Sequence, residues 1–251
     1  MSNQGKYIYS VIREEKPKIF SDIFGMESKP VYTINHNGWG AVVSDSPLDD
    51  FLITRKFTMA HQRVMEEVMR RGYSILPVSF GTVAESEEAI KDKVLTKKAK
   101  ELEDGYKYIN GRMEMNLKVL WQNVSSVFRE IAGANPTIRR AKNVAQKRPL
   151  GRFQAANIGE VVKQDLDRRR AGLADKILSQ LKSFAVETKE GEILQDAMVL
   201  NTTFLVPRTC GKMYDQRILE LARAYSDKLN FINYGPLPPY NFVSIRVSFN
   251  D

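Results

Sequence analysis

Few side chains in this sequence have the type and spacing that chemistry at a protein site requires. The two histidines, His36 and His61, fall in different predicted elements, whereas a metal site needs clustered His, Cys or carboxylate ligands. Cys210 is the single cysteine, and it precedes a predicted helix whose N-terminus can activate a thiol. However, nothing in the sequence places a histidine beside it. We expect His61 to be a core residue, Cys210 to be a half-buried residue near a helix cap, and no metal ion to bind.

Nucleotide and cofactor sites have no counterpart in the sequence. There is no G-x-G-x-x-G run and no Walker lysine, and the lone glycine of Phe80-Gly81-Thr82 marks a turn after a strand. The alternating charges of Glu85–Glu103 fit a helix surface rather than paired catalytic carboxylates. We therefore predict that the protein is not an enzyme and has neither a cofactor nor a small-molecule substrate.

One segment, Ile138–Arg170, holds nearly all of the net charge of +8. It contains ten Lys and Arg against three acidic residues, which leaves +7. Such a cluster can meet nucleic acid, an acidic protein or an anionic membrane, or it can be a solvated loop and helix face. The candidate interaction residues in this segment are Arg139, Arg140, Arg168, Arg169 and Arg170.

Sequence-specific RNA recognition by a sheet would need aromatic side chains on a central strand. The predicted strand Arg112–Leu120 has methionines and a single lysine instead, and Phe153 is the only aromatic residue within the basic segment. We expect no specific nucleic acid as a partner. A basic nucleic-acid-binding module with a ferredoxin-like sheet remains the alternative function.

The first half of the chain predicts a mixture of strands and helices. Apolar residues that recur at three and four positions predict that His61, Val64, Met65, Val68 and Met69 form the buried face of a helix. Further predictions are a strand at Tyr7–Ile12, a short helix at Pro17–Phe24, a hairpin with its turn at Asn35–Gly38, a strand at Ser74–Phe80 and a helix at Glu85–Glu103. Pro77 lies inside its strand, which indicates an edge strand or a bulge.

The second half predicts the order β-α-α-β-β-α-β with a final strand at Phe242–Phe249, which approximates a split βαβ arrangement. We predict an α+β protein of two domains. Residues 1–106 form a mixed α+β domain, and residues 107–251 form a modified ferredoxin-like domain with a basic helical insertion around 134–184.

Composition indicates a cytoplasmic protein. With 251 residues the chain can bury a sizeable core, and it has no run of 18 apolar residues that would predict a membrane span. The N-terminal residues lack the apolar core of a signal peptide, and a single cysteine fits a reducing compartment.

The segment Gly235–Val243 is the most distinctive in the chain, because its three prolines exclude a helix or a central strand. It joins two predicted strands as a rigid connector. Pro236, Pro238, Pro239 and Tyr240 form either a surface for another protein or a structural corner that locks these strands.

Five blocks of sequence spread in order over nearly the whole chain: Tyr7-Ile8-Tyr9, then His61 with Val64 followed by Leu76–Thr82, then Gly111–Val119, Leu200–Pro207 and Gly235–Val243. Together these blocks resemble the gas vesicle protein F/L family. Leu237 and Asn241 stand where that family usually has tryptophan and serine.

The resemblance implies a minor component of gas vesicles, the gas-filled protein shells that give aquatic microbes buoyancy. It implies association with the small, hydrophobic main shell protein and with other accessory proteins, in the cytoplasm or on the gas vesicle. An accessory protein of this kind could cap exposed strands and apolar faces before assembly, in the manner of a chaperone. Strand addition near Pro77 is one route, and the basic segment could engage acidic faces of partner proteins.

Overall fold

The structure is a computed structural model that describes residues 4–48, 52–146 and 151–249. The chain forms two compact units, and each unit combines separate stretches of sequence. The first unit takes in Met1–Met115, Leu205–Arg208 and Gly235–Asp251, and the second takes in Asn116–Phe204 and Thr209–Tyr234. This division differs from domains 1–106 and 107–251, because the C-terminal residues pack with the first unit. That pair of domains stays a prediction about how the chain folds.

An antiparallel sheet forms the centre of the first unit. Its strands are β1 (Gln4–Arg13), β2 (Ile19–Phe24), β3 (Pro30–His36), β4 (Trp39–Pro47), β5 (Ile75–Pro77) and β6 (Val83–Ala84). The order is β2-β3-β4-β1-β5, and β6 also pairs with β1. The predicted hairpin is confirmed, since Asn37 and Gly38 join β3 to β4 with positive φ angles of 50° and 79°.

Helices cover both faces of this sheet. Alternate residues of β1 enter two separate core clusters, as Tyr7 and Tyr9 do on one side and Ile8 on the other. Helix α1 (Arg55–Arg70) packs on the side of the two tyrosines, and all five residues of its predicted buried face are buried. The opposite face is covered by a π-helical segment (Ile90–Thr96) and by α3 (Ala99–Ile109), and the short α2 (Glu87–Ala89) leads into the π-helical segment.

The second unit combines a four-stranded sheet with four helices. The sheet has the order β10-β7-β9-β8. In chain order the elements are β7 (Arg112–Trp121), α4 (Val124–Ala134), α5 (Pro136–Ala145), α6 (Arg152–Leu181), β8 (Glu187–Glu190), β9 (Met198–Pro207), α7 (Gly211–Ala224) and β10 (Leu229–Leu237). Helices α5 and α6 contain most of the basic segment.

Three local predictions are wrong. Residues 19–24 form β2 and not a helix, because pairing with β3 overrides the start signal of Pro17. The predicted single helix at 85–103 is divided by the π-helical segment and continues to Ile109. The predicted strand Phe242–Phe249 is replaced by a turn and one bridge at Ile245, since the N–H groups of Phe242 and Val243 both donate to the Pro239 carbonyl.

Candidate functional site

The proline segment begins as part of edge strand β10 and then turns into the first unit. Pro236 is exposed, whereas Pro238 and Pro239 are buried. Tyr240 is 37% exposed, and its hydroxyl donates to Met65 Sδ at 3.4 Å. Pro238 and Pro239 therefore hold the segment against the protein interior, while its exposed residues are Gly235, Pro236, Tyr240 and Asn241.

A buried carboxylate fixes this segment. Glu114 is 2% exposed, and it accepts hydrogen bonds from the Asn241 side chain at 2.6 Å and from the Asn241 backbone N–H at 2.9 Å. Gly235 has a φ of +145°, and a Cβ at this position would lie 2.5 Å from Met115 Sδ. Both features favour a structural corner over a docking surface for this segment. Sequence reasoning did not find Glu114, because its partner lies 127 positions away.

His61 lies in the core of the first unit and is 3% exposed. The Tyr7 hydroxyl is 3.0 Å from Nδ1, and the rings of Tyr7, Tyr9, Phe80 and Tyr240 surround the imidazole at centroid distances of 5.6 to 6.5 Å. Burial lowers the pKa of His61 to about 4, so the ring is neutral at pH 7. The prediction of a core histidine is confirmed.

The other candidates for chemistry show no site. Cys210 is the N-cap residue of α7, is partly buried and lies 4.0 Å from the Thr209 hydroxyl. Within the described ranges, no three His, Cys, Asp or Glu side chains cluster closely enough to hold a metal ion. Among the same residues, no helix is both long and apolar enough to cross a bilayer.

Pro77 is buried at the end of β5, where it pairs with Ser10 of β1. On the other side of β5 its carbonyl accepts the N–H of Ile245 at 2.8 Å, and the Ile245 carbonyl accepts the N–H of Ser79. Addition of a partner strand at Pro77 would therefore have to displace the Ile245 segment. Strand addition at this edge stays a prediction.

The five candidate arginines occupy different environments. Arg139 and Arg140 are exposed on α5, and neither has a salt bridge among the described residues. On α6, the side chain of Arg168 is 78% exposed and pairs with Asp165 within the same helix. Lys147 and Arg148, which also belong to the basic segment, lie outside the described residues. Arg139, Arg140 and Arg168 are thus available to a partner.

Arg169 and Arg170 have structural partners instead. Arg169 pairs with Glu130 of α4 at 2.8 Å. Arg170 is mostly buried, donates from Nε to the Met198 carbonyl at 2.8 Å, and lies over the Trp121 ring at 5.8 Å. The three consecutive arginines are therefore not a single binding surface.

A groove of about 1040 Å³ lies in the first unit, between α1 and the connection from β2 to β3. We call it the first-unit groove. Its apolar lining includes Phe24, Phe57, Met59 and Ala60, and both Phe24 and Met59 are 57% exposed. The charged residues along it balance, since Lys56 and Arg63 are positive and Glu27 and Glu66 are negative.

A cleft of about 650 Å³ lies in the second unit, between α4 and α6, and we call it the α4–α6 cleft. The cleft is lined by the N-cap Asn123 and α4 residues 126, 127 and 130, and by α6 residues 168, 169, 172, 173 and 176, so each helix presents one face. Trp121 and the pair Asp227–Lys228 complete the lining. No pattern in the sequence indicated this cleft, since it forms only where separate helices meet.

The sequence and the fold of this chain are both similar to those of known proteins. The family profile of the gas vesicle synthesis protein GvpL/GvpF matches residues 5–244. Gas vesicle protein F of Microcystis aeruginosa (strain PCC 7806) is 24% identical over 243 residues, which cover 96% of this chain and 98% of the relative. Gas vesicle protein F of Streptomyces sp. (strain CB03234) is 27% identical over 240 residues, which cover 94% and 98%.

A solved structure shares the fold. The crystal structure of the gas vesicle protein GvpF from Anabaena sp. PCC7120 superposes with a TM-score of 0.86 at 21% identity, over 96% of this chain and 99% of that one. It has the same mixed α and β architecture with antiparallel sheets. Since the family profile spans nearly the whole sequence in one run, this chain belongs to the gas vesicle synthesis protein GvpL/GvpF family.

Proposed function

We propose that this protein binds the hydrophobic main shell protein of gas vesicles and supports assembly of the shell without catalysing a reaction. It acts in the cytoplasm or on the gas vesicle itself, where subunits join the shell, and so contributes to buoyancy. Family membership supports a role in the gas vesicle system. The observation that carries the binding role is a group of exposed large apolar side chains in the first unit: Ile19, Phe24, Leu52, Ile53 and Met59.

Exposed apolar side chains that line one groove indicate a surface that another molecule covers. Phe24 and Met59 line the first-unit groove, and Leu52 and Ile53 directly precede Thr54, the N-cap of α1. A hydrophobic shell subunit that covers this groove would remove its own apolar surface from water, and the same burial would prevent aggregation. The mixed charges along the groove make this contact less dependent on salt than a purely basic surface would be.

The strand order supports a ferredoxin-like reading of the second unit. Two β-α-β segments occur, from β7 to β8 and from β9 to β10. In the order β10-β7-β9-β8, β9 lies between β7 and β8 of the first segment, and β7 lies between β9 and β10 of the second. We infer the split βαβ arrangement from this, with α5 and the first half of α6 as the basic insertion.

Co-purification with a soluble fusion of the main shell protein tests the binding role, in low and moderate salt. Met59→Glu places a charge in the first-unit groove, while Leu219→Glu is a matched control on α7. Both residues are 57% exposed in helices, and both have an arginine four positions later, at Arg63 and Arg223. Because a buried Met contributes about 1.5–3 kcal/mol, we expect Met59→Glu to weaken binding by about tenfold or more.

Equal retention by wild type and Met59→Glu would show that the first-unit groove is not the binding surface. Failure of the wild type to retain the shell fusion in either salt would contradict the function itself. A parallel sample with nucleic acid checks the alternative function, for which affinity must fall steeply as salt rises. Retention of nucleic acid alone would favour the basic nucleic-acid-binding module.

A further inference from the structure

The α4–α6 cleft has a cationic rim with more positive than negative charge. Lys176 of α6 has no salt bridge among the described residues, and Arg168 is largely exposed about two helical turns before it. Glu130 is already paired with Arg169. The rim cations are Arg168, Arg169, Lys176 and Lys228, and the rim carboxylates are Glu130 and Asp227. Asp165 pairs with Arg168 from outside the lining, and with it counted the charge is still positive by one. A positively charged concave site favours a negatively charged ligand.

The floor of the cleft is apolar. Trp121 is 7% exposed at the end of β7, and Val127 and Leu173 are half-buried on the two helices. Gly172 lies between the cationic residues of α6, and a Cβ at this position would meet nothing within 4 Å. The space above Gly172 can therefore accept a side chain from another molecule.

We propose that the α4–α6 cleft binds an acidic segment of a partner protein that carries an apolar side chain between its carboxylates. The carboxylates would lie beside Lys176 and Arg168, and the apolar side chain would cover Trp121 above Gly172. This site is separate from the first-unit groove, so it extends the proposed function and does not depend on it.

An acidic peptide fits this cleft better than a nucleic acid does. The side chains of Glu130 and Asp227 are 66% and 71% exposed at the rim, where they would repel a continuous phosphate backbone. A peptide can place its carboxylates at chosen positions and leave those two residues in water. The apolar floor also gives a peptide side chain an anchor, and buried anchors provide most of the energy in protein interfaces.

Binding of a fluorescein-labelled peptide of repeated Glu-Glu-Leu units to the full chain, followed by fluorescence anisotropy, tests the proposal. Gly172→Phe fills the cleft and should weaken binding by about tenfold or more. Gly159→Phe is the matched control, because Gly159 is exposed on the same helix and its Cβ also meets nothing within 4 Å. The control variant should bind within about twofold of wild type.

Lys176→Glu should also weaken binding of this peptide, while a peptide of repeated Lys-Lys-Leu units should bind the wild type much less tightly. Unchanged binding in Gly172→Phe would overturn the proposal, as would the absence of saturable binding by the acidic peptide up to about 1 mM. If single-stranded DNA binds more tightly than the acidic peptide, and Gly172→Phe abolishes that binding too, the cleft would be assigned to nucleic acid instead. Circular dichroism spectra of all variants separate loss of binding from loss of fold.

Discussion

Acidification should destabilise the first unit through His61. Burial lowers the pKa of His61 to about 4, while an exposed histidine in the unfolded chain has a pKa of about 6.5. Below pH 6.5 the unfolded chain therefore binds a proton that the folded protein does not, and stability falls as the pH decreases toward 4. Below that value both states are protonated and the loss is complete. The full shift corresponds to about 3 kcal/mol, and about 2.5 kcal/mol of it is lost at pH 4.5.

The two tryptophans allow the first unit to be followed alone, because Trp39 lies in the first unit and Trp121 in the second. In a Trp121→Phe background, urea unfolding is measured from Trp39 fluorescence at pH 7 and pH 4.5. The test variant is His61→Asn, whose Oδ1 keeps an acceptor near the Tyr7 hydroxyl but does not titrate. Between the two pH values, the parent should lose about 2–3 kcal/mol more stability than this variant.

Carboxylates also titrate between pH 7 and pH 4.5. The informative quantity is therefore the difference in stability loss between the parent and His61→Asn. Equal losses in the parent and in His61→Asn would refute the argument, since they would mean that the imidazole gains no proton on unfolding. His36→Asn is the control for replacement of a histidine outside the core, because His36 ends β3 in a partly exposed position.

Four further substitutions test contacts in the two units, each by urea unfolding at pH 7. Asn241→Ala removes a hydrogen bond to the buried carboxylate of Glu114 and should cost about 2 kcal/mol, whereas an unchanged midpoint would contradict the anchoring role. Gly235→Ala should destabilise by at least about 2 kcal/mol, because of its φ of +145° and the contact of its new Cβ with the core. Arg170→Ala should cost about 2 kcal/mol and Arg168→Ala less than about 0.5 kcal/mol, so equal effects would refute the different roles assigned to them.

The sequence predicts elements well where a long periodic pattern decides the structure. The buried face of α1 follows from apolar residues at helical spacing, and the hairpin turn follows from Asn37-Gly38, which tolerates positive φ. It fails where tertiary pairing decides. Residues 19–24 become a strand because β3 pairs with them, and residues 242–249 lose their strand because Pro239 turns the chain.

The candidate sites were less predictable than the fold, because each depends on residues that the sequence separates. Glu114 and Asn241 meet across 127 positions, and no pattern in either segment indicates the other. The α4–α6 cleft likewise requires the faces of two helices to come together. Composition identified the basic segment, but it could not divide the arginines into those that face solvent and those that hold the second unit together.

The three consecutive arginines show why this division matters for any binding experiment. Neutralising Arg168, Arg169 and Arg170 together would remove an exposed charge, break the link from α6 to α4 and take away the buried donor to Met198. Loss of binding in such a variant would have three physical causes, two of which act through stability. A substitution at Gly172 changes the shape of the cleft and leaves every one of these charges in place. For this reason a steric change is a sharper probe of partner binding on α6 than removal of its charge.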